Sequence, residues 1–343
     1  MKKISFVAPP VFQNNRFFKS EDNLLNRDGL LAPMIVLKKE FARAGVDIGT
    51  QDIIPIETAD AVIFENMPAE EDKDFRAARA GNKKMYLKIS EWGALHRGND
   101  DLRRHADFHK IFTYQDDLID NRRYFKLNYS FLMPDSVPMD ISLKRKLCVL
   151  VAGNKLFRHR YELYSKRREA IRWFEANHPE NFDLYGVGWD RPASLFHYPF
   201  MEKIFRKLPL LGDEARGSYP SWRGRIEHKR DVLSSYRFAI CYENACHVNG
   251  WITEKIFDCF FSGCVPVYWG APNVTDHIPA EAFIDKRGFD NYDDLYQYLN
   301  NMPEDRYTRY LSAIEAFVCS PRSQPFSASY FADTILTEVM KDL

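Results

Sequence analysis

Glu243-Asn244 closes the apolar run Tyr236–Tyr242, and Thr253-Glu254-Lys255 follows after a short loop that carries Trp251. The helical pattern that starts there has a hydroxyl, a carboxylate and an ammonium at its first turn. A lysine in that place does not favour an isolated helix, whose N-terminus already carries partial positive charge. It makes sense if an anion docks there, because free backbone N–H groups and an ammonium together suit a pyrophosphate. Glu254 can then accept hydrogen bonds from ribose hydroxyls, as acidic residues do in other nucleotide folds. A capped surface helix with an incidental Glu–Lys pair accounts for the spacing equally well.

Other residues could join such chemistry. Arg168 lies in Lys166-Arg167-Arg168-Glu169, after a strand that ends Ala152-Gly153-Asn154. Cations there could stabilise a nucleoside diphosphate as it leaves, a contribution of several kcal/mol to transfer; a solvated helix face gives the same pattern. Arg223, Arg225, Lys229 and Arg230 form a second basic cluster with the same two readings. Glu91 follows the strand-like Lys84–Ser90 and precedes Trp92-Gly93. A carboxylate beside a bulky aromatic can have its pKa raised and act as a general base, although an exposed loop glutamate is the commoner case.

Several patterns point away from other chemistries. Gly186-Val-Gly188 lacks the third glycine of a dinucleotide fingerprint. Asp116-Asp117 and Asp293-Asp294 stand where helices begin and read as caps rather than metal ligands. The nine histidines are scattered, and none of the six cysteines forms a Cys-x-x-Cys pair, which favours buried free thiols in a reducing compartment over zinc.

These residues need a scaffold, and the hydrophobic rhythm supplies one. Strands are expected at Ile4–Val7, Val46–Ile48, Ala59–Phe64, Lys84–Ile89 and Lys110–Thr113, with helices over about Leu30–Ala44 and Glu70–Ala80. Met133-Pro-Asp-Ser-Val-Pro-Met-Asp-Ile reads as a linker. The rhythm then restarts with strands at Leu147–Ala152 and Asp183–Tyr185, a basic helix at Glu162–Glu175 and a turn of helix at Arg230–Ser235. An irregular insertion is expected from Pro192 to Arg225, and Phe331, Ile335, Val339 and Met340 give the tail a helical spacing. Strand–helix alternation implies parallel sheets covered by helices.

The length of 343 residues suggests two domains, and 45% hydrophobic residues let each bury a core. Lys plus Arg and Asp plus Glu number 48 each; zero net charge argues against nucleic acid as a partner. No apolar run reaches the roughly 18 residues of a membrane span, and the start is too short in apolar residues for a signal peptide. The expectation is a cytoplasmic protein, or one peripheral at the inner face of a membrane.

Tyr236–Leu299 resembles the C-terminal signature of the α-1,3-fucosyltransferases, glycosyltransferase family 10. The resemblance runs through Tyr242-Glu-Asn244, Trp251-Ile-Thr-Glu-Lys255, Cys264-Val-Pro-Val-Tyr-Trp-Gly270 and Phe283-Ile-Asp285. Ala152-Gly-Asn154 with Arg168, and Glu91 in Lys88-Ile-Ser-Glu91, fit more loosely. It implies an α/β GT-B fold, two Rossmann-like domains facing across a cleft. The expected division is residues 1–134 for the acceptor, a linker at 135–142, residues 143–325 for the donor and a C-terminal helix at 326–343. It further implies inverting transfer of L-fucose from GDP-fucose to a hydroxyl, O3 of N-acetylglucosamine or glucose, of an oligosaccharide or glycolipid acceptor. Lys255 and Arg168 would hold the pyrophosphate and Glu254 the ribose; Asn154, Glu243, Asn244, Trp251 and Thr253 would line the donor site; Glu91 would be the base. No bound metal is expected. Two departures stand out: Trp251 replaces the family's common Tyr, and Ala245 its usual Ser. Another nucleotide-deoxysugar donor, or a non-catalytic nucleotide-sugar-binding protein, are the alternatives.

Overall fold

The computed structural model describes residues 1–20, 26–191, 194–195 and 218–343. Residues 192–193 and 196–217 of the expected insertion lie outside the described residues. The chain divides into two compact units: Met1–Met133 with Asn249–Trp251 and Arg322–Leu343, and Pro134–Val248 with Ile252–Pro321.

The first unit is built on β1 (Lys2–Val7), α1 (Ala32–Arg43), β2 (Val46–Thr50), β3 (Ala61–Glu65), α2 (Lys73–Ala80), β4 (Lys84–Ile89), β5 (Lys110–Thr113) and β6 (Tyr124–Lys126). The six strands form one sheet in the order β2-β1-β3-β4-β5-β6, and every pair is parallel. Parallel strands covered on both faces read as continuous apolar runs, as Ala61-Val-Ile-Phe64 does, all buried. Helix α2 starts later than its apolar spacing suggests because the Asp72 carboxylate accepts from the N–H groups of Asp74 and Phe75, both at 2.9 Å, and so fixes the cap. The short strand β6 is not visible in the sequence pattern, since only Phe125 of its three residues is buried.

The C-terminal helix Ala328–Met340, capped by Ser327, belongs to this unit. Its buried stripe Phe331, Ala332, Ile335 and Val339 shares one core with Leu37 and Phe41 of α1 and Ile4 and Phe6 of β1. Lys110 ties it down, its ammonium 3.1 Å from the Glu338 carboxylate and 3.0 Å from that of Asp342. Tyr86 also donates to Asp342 at 2.9 Å.

The second unit continues with β7 (Lys146–Val151), β8 (Lys155–Leu156), α3 (Tyr164–Asn177), β9 (Phe182–Tyr185), β10 (Ser194–Leu195), α4 (Lys229–Leu233), β11 (Tyr236–Tyr242) and α5 (Glu254–Phe261). It ends with β12 (Val265–Trp269), α6 (Val274–His277), β13 (Ile284–Asp285), α7 (Tyr292–Asn300) and α8 (Glu304–Val318). Its main sheet is parallel in the order β13-β12-β11-β7-β9, and β8 pairs with β10 as a separate ribbon. In this order the direction of winding reverses between β7 and β11. Open α/β sheets take their ligands outside the carboxyl ends of the strands at such a switch point.

Candidate functional site

The carboxyl ends of β7 and β11 collect the charged groups of the second unit. Glu243, the first residue after β11, is fully buried. Its carboxylate accepts from the Thr253 N–H at 2.8 Å, the Thr253 hydroxyl at 2.7 Å and the Lys255 ammonium at 3.0 Å. Thr253 holds the N-cap position of α5, yet its hydroxyl bonds Glu243 and Lys255 rather than the helix N–H groups. Lys255 is thereby aimed by two neighbours in the first turn of α5. Burial works against its charge, but Glu243 and Glu254 outweigh it and raise the Lys255 pKa. Glu254 shows the converse: burial opposes its carboxylate, and Lys255 and Lys229 hold its pKa far below the usual carboxylate range. Both groups are charged at neutral pH.

Two further cations reach this edge. Lys229 of α4 lies 2.6 Å from Asp258 and 3.5 Å from Glu254. Arg167 of α3 is buried, and its guanidinium donates to the Tyr242 carbonyl at 2.6 Å and to the Asn244 side-chain carbonyl at 2.9 Å. Backbone bonds keep α3 in place: Leu163 N–H donates to Asn244 O and Cys246 N–H to Tyr161 O, both at 3.0 Å. A cavity of about 40 Å³ beneath this edge, lined by Val151, Arg167, Lys229, Tyr242 and Lys255 among others, has room for a few waters, not for a nucleotide.

The structure redistributes the residues picked out by sequence. It gathers Glu243, Asn244, Thr253, Glu254 and Lys255. Arg168 is turned outward onto the Lys155 carbonyl at 2.7 Å, and its neighbour Arg167 takes the interior position. Of the second basic cluster, Arg223 neutralises the buried Asp183 and only Lys229 joins the site. Asn154 is buried at the end of β7, where its amide N–H groups clasp the carbonyls of Gly188 and Arg191 at 3.0 and 3.2 Å. Gly186 lets these loops meet: a Cβ there would fall 2.0 Å from Ala152 O. Ala245 is buried, with its backbone bridged to Glu162, so the absent serine hydroxyl would have pointed into packed protein.

Trp251 belongs to the first unit, not to the second. It is 1% exposed, with Tyr114 at 5.9 Å and Trp92 at 6.0 Å between ring centroids. Gly250 makes that docking possible, because its φ of +76° and its approach to Tyr114 O leave no place for a Cβ. Glu91 also lies in the first unit, half-buried just past the carboxyl end of β4 and next to Trp92. Asp116 pairs with Lys126, and Asn291 rather than the aspartates caps α7.

Residues 213–326 match the family model described as glycosyltransferase family 10 (fucosyltransferase) C-term. The α-(1,3)-fucosyltransferase of Helicobacter pylori is 36% identical over 74 residues, which are 22% of this chain and 15% of that protein. The GDP-fucose protein O-fucosyltransferase 3 of Xenopus laevis is 38% identical over 86 residues, 24% of this chain and 18% of that protein. Each match thus spans less than a quarter of the curated relative. The crystal structure of an α1,3-fucosyltransferase with GDP-fucose resembles this fold over 100% of this chain and 91% of that one, with a TM-score of 0.54 at 17% identity. That likeness establishes the fold, GT-B, in which each unit contributes one parallel α/β sheet. Residues 213–326, which contain the Glu243–Lys255 cluster, are thus similar to the fucosyltransferase C-terminal domain of glycosyltransferase family 10.

Proposed function

We propose that this protein transfers L-fucose from GDP-fucose to a hydroxyl of an oligosaccharide acceptor, with inversion at the sugar carbon. The observation that carries this reading is the convergence of Lys255, Arg167 and Lys229 on the carboxyl edge between β7 and β11, with Lys229 and Lys255 inside the family-matched segment. Lys255 and the first-turn N–H groups of α5 face the pyrophosphate, and Glu254 takes the ribose hydroxyls. As the acceptor oxygen bonds to C1, the bond from C1 to the phosphate oxygen breaks and its electron pair leaves with GDP. Glu91 takes the acceptor proton. Protein cations offset the charge that grows on the leaving diphosphate, so this reading calls for no tightly bound metal.

A second reading keeps the pyrophosphate site and changes the sugar, because contacts to a diphosphate do not report what it carries. Thermal unfolding with a panel of nucleotide sugars separates the two. GDP and GDP-fucose are expected to raise Tm by mass action, by the equivalent of about 2.7 kcal/mol at a hundredfold excess over Kd. Lys255→Ala is expected to abolish that shift. Stabilisation by a dTDP-sugar alone, with none from GDP or GDP-fucose, would overturn the proposal.

A further inference from the structure

Glu91 is held by its own peptide group. Asn66, the residue after β3, lies in the left-handed region at φ +65°, a conformation that asparagine tolerates, and its side-chain oxygen collects three donors. They are the N–H of Ser90 at 2.9 Å, the N–H of Glu91 at 3.1 Å and the amide of Asn99 at 2.9 Å. The Asn99 amide also donates to the Glu91 carbonyl at 2.8 Å, and its oxygen accepts from Met67 N–H at 2.8 Å. Both ends of the Glu91 backbone are therefore gripped by two asparagines that grip each other.

The clamp has its own support. Asn99 is fully buried, a costly place for an amide unless its polar atoms are partnered. Its backbone carbonyl lies 3.0 Å from Nε2 of the buried His105, whose Nδ1 lies 3.1 Å from the Tyr124 hydroxyl. Nε2 therefore carries the proton and Nδ1 accepts from the tyrosine. Burial lowers the His105 pKa, which keeps the ring neutral and this arrangement intact near neutral pH.

We propose that Asn99 and Asn66 are positioning residues that set the direction of the Glu91 carboxylate. This rests on the reading of Glu91 as general base, whose carboxylate must meet the acceptor proton within hydrogen-bond reach. A base set on a loop needs such a second layer, since a misplacement of about 1 Å can cost on the order of a hundredfold in rate.

The test measures kcat, donor KM and GDP-induced thermal stabilisation for Asn99→Ala and Asn66→Gly, each alone and combined with Glu91→Gln. Asn66→Gly keeps the left-handed backbone accessible and removes only the side chain, so it guards against a fold defect in Asn99→Ala. Each single variant is expected to lose about 10- to 100-fold in kcat, with donor KM and GDP stabilisation unchanged. In the Glu91→Gln background neither should lower the residual rate by more than about twofold, because groups that act through one another are not additive. Wild-type kcat in both folded variants, with Glu91→Gln inactive, would overturn the positioning role and leave the base reading standing. A full further loss in the Glu91→Gln background would also overturn it. Near-normal turnover by Glu91→Gln would instead remove the base reading, and the positioning role with it.

Discussion

Glu243 has no exposed surface, and its two oxygens accept three hydrogen bonds from Thr253 and Lys255. It therefore shapes the site from beneath and aims Lys255, rather than meeting a ligand. Glu243→Gln would place an amide donor against other donors and remove the charge that faces the ammonium. The expected cost is about 2–4 kcal/mol of stability, read by denaturant unfolding, together with weaker GDP binding. The sequence places Glu243 at a strand end but cannot say that its carboxylate turns inward. Arg167 is a similar case. Tyr164, Ala170, Ile171 and Phe174 define the buried stripe of α3, and Arg167 falls at its centre. Arg168, one residue on, is turned by about 100°. The helical period held the signal that separates the two arginines, but a run of adjacent cations masks it. Trp251 was legible as part of an ordered motif, not as a side chain packed with Trp92 and Tyr114, because that choice depends on residues far away in sequence.

At the scale of elements, most strands and helices were legible from the hydrophobic period alone. Strand β6 was missed because three residues with one buried side chain give no periodic signal. The apolar face of the C-terminal helix was legible, but not its partner. That partner is α1, and charge fastens the end of the helix to β5: although burial opposes both carboxylates, Lys341 and Lys110 lower the pKa of Glu338, and Lys110 and Tyr86 lower that of Asp342. A carboxylate depressed in the folded state contributes stability that is fully present above its unfolded pKa, near 4, and is lost as pH falls through the lower folded value. Acid titration is thus expected to loosen this helix below about pH 4. Lys110→Ala should cost about 2 kcal/mol at neutral pH and flatten that acid transition. Hydrogen exchange in Ala328–Met340 measures both; unchanged protection in the variant would show that apolar packing alone holds the helix.

The two units are not two consecutive segments of the chain. The first unit takes Asn249–Trp251 from the middle of the family signature and Arg322–Leu343 from the end. Strand–helix alternation made the parallel sheets readable, and the ordered motifs made the family readable, because both are carried by local sequence. The assignment of Asn249–Trp251 to the first unit is a tertiary outcome with no local signature. Mass spectrometry of a lactosamine-type acceptor incubated with GDP-fucose and the protein tests the proposed fucose transfer. The expected result is an acceptor heavier by one deoxyhexose, with one GDP released per product, and no product from Lys255→Ala or Glu91→Gln. GDP-fucose that binds and stabilises the protein but leaves a panel of oligosaccharide acceptors unmodified would contradict it.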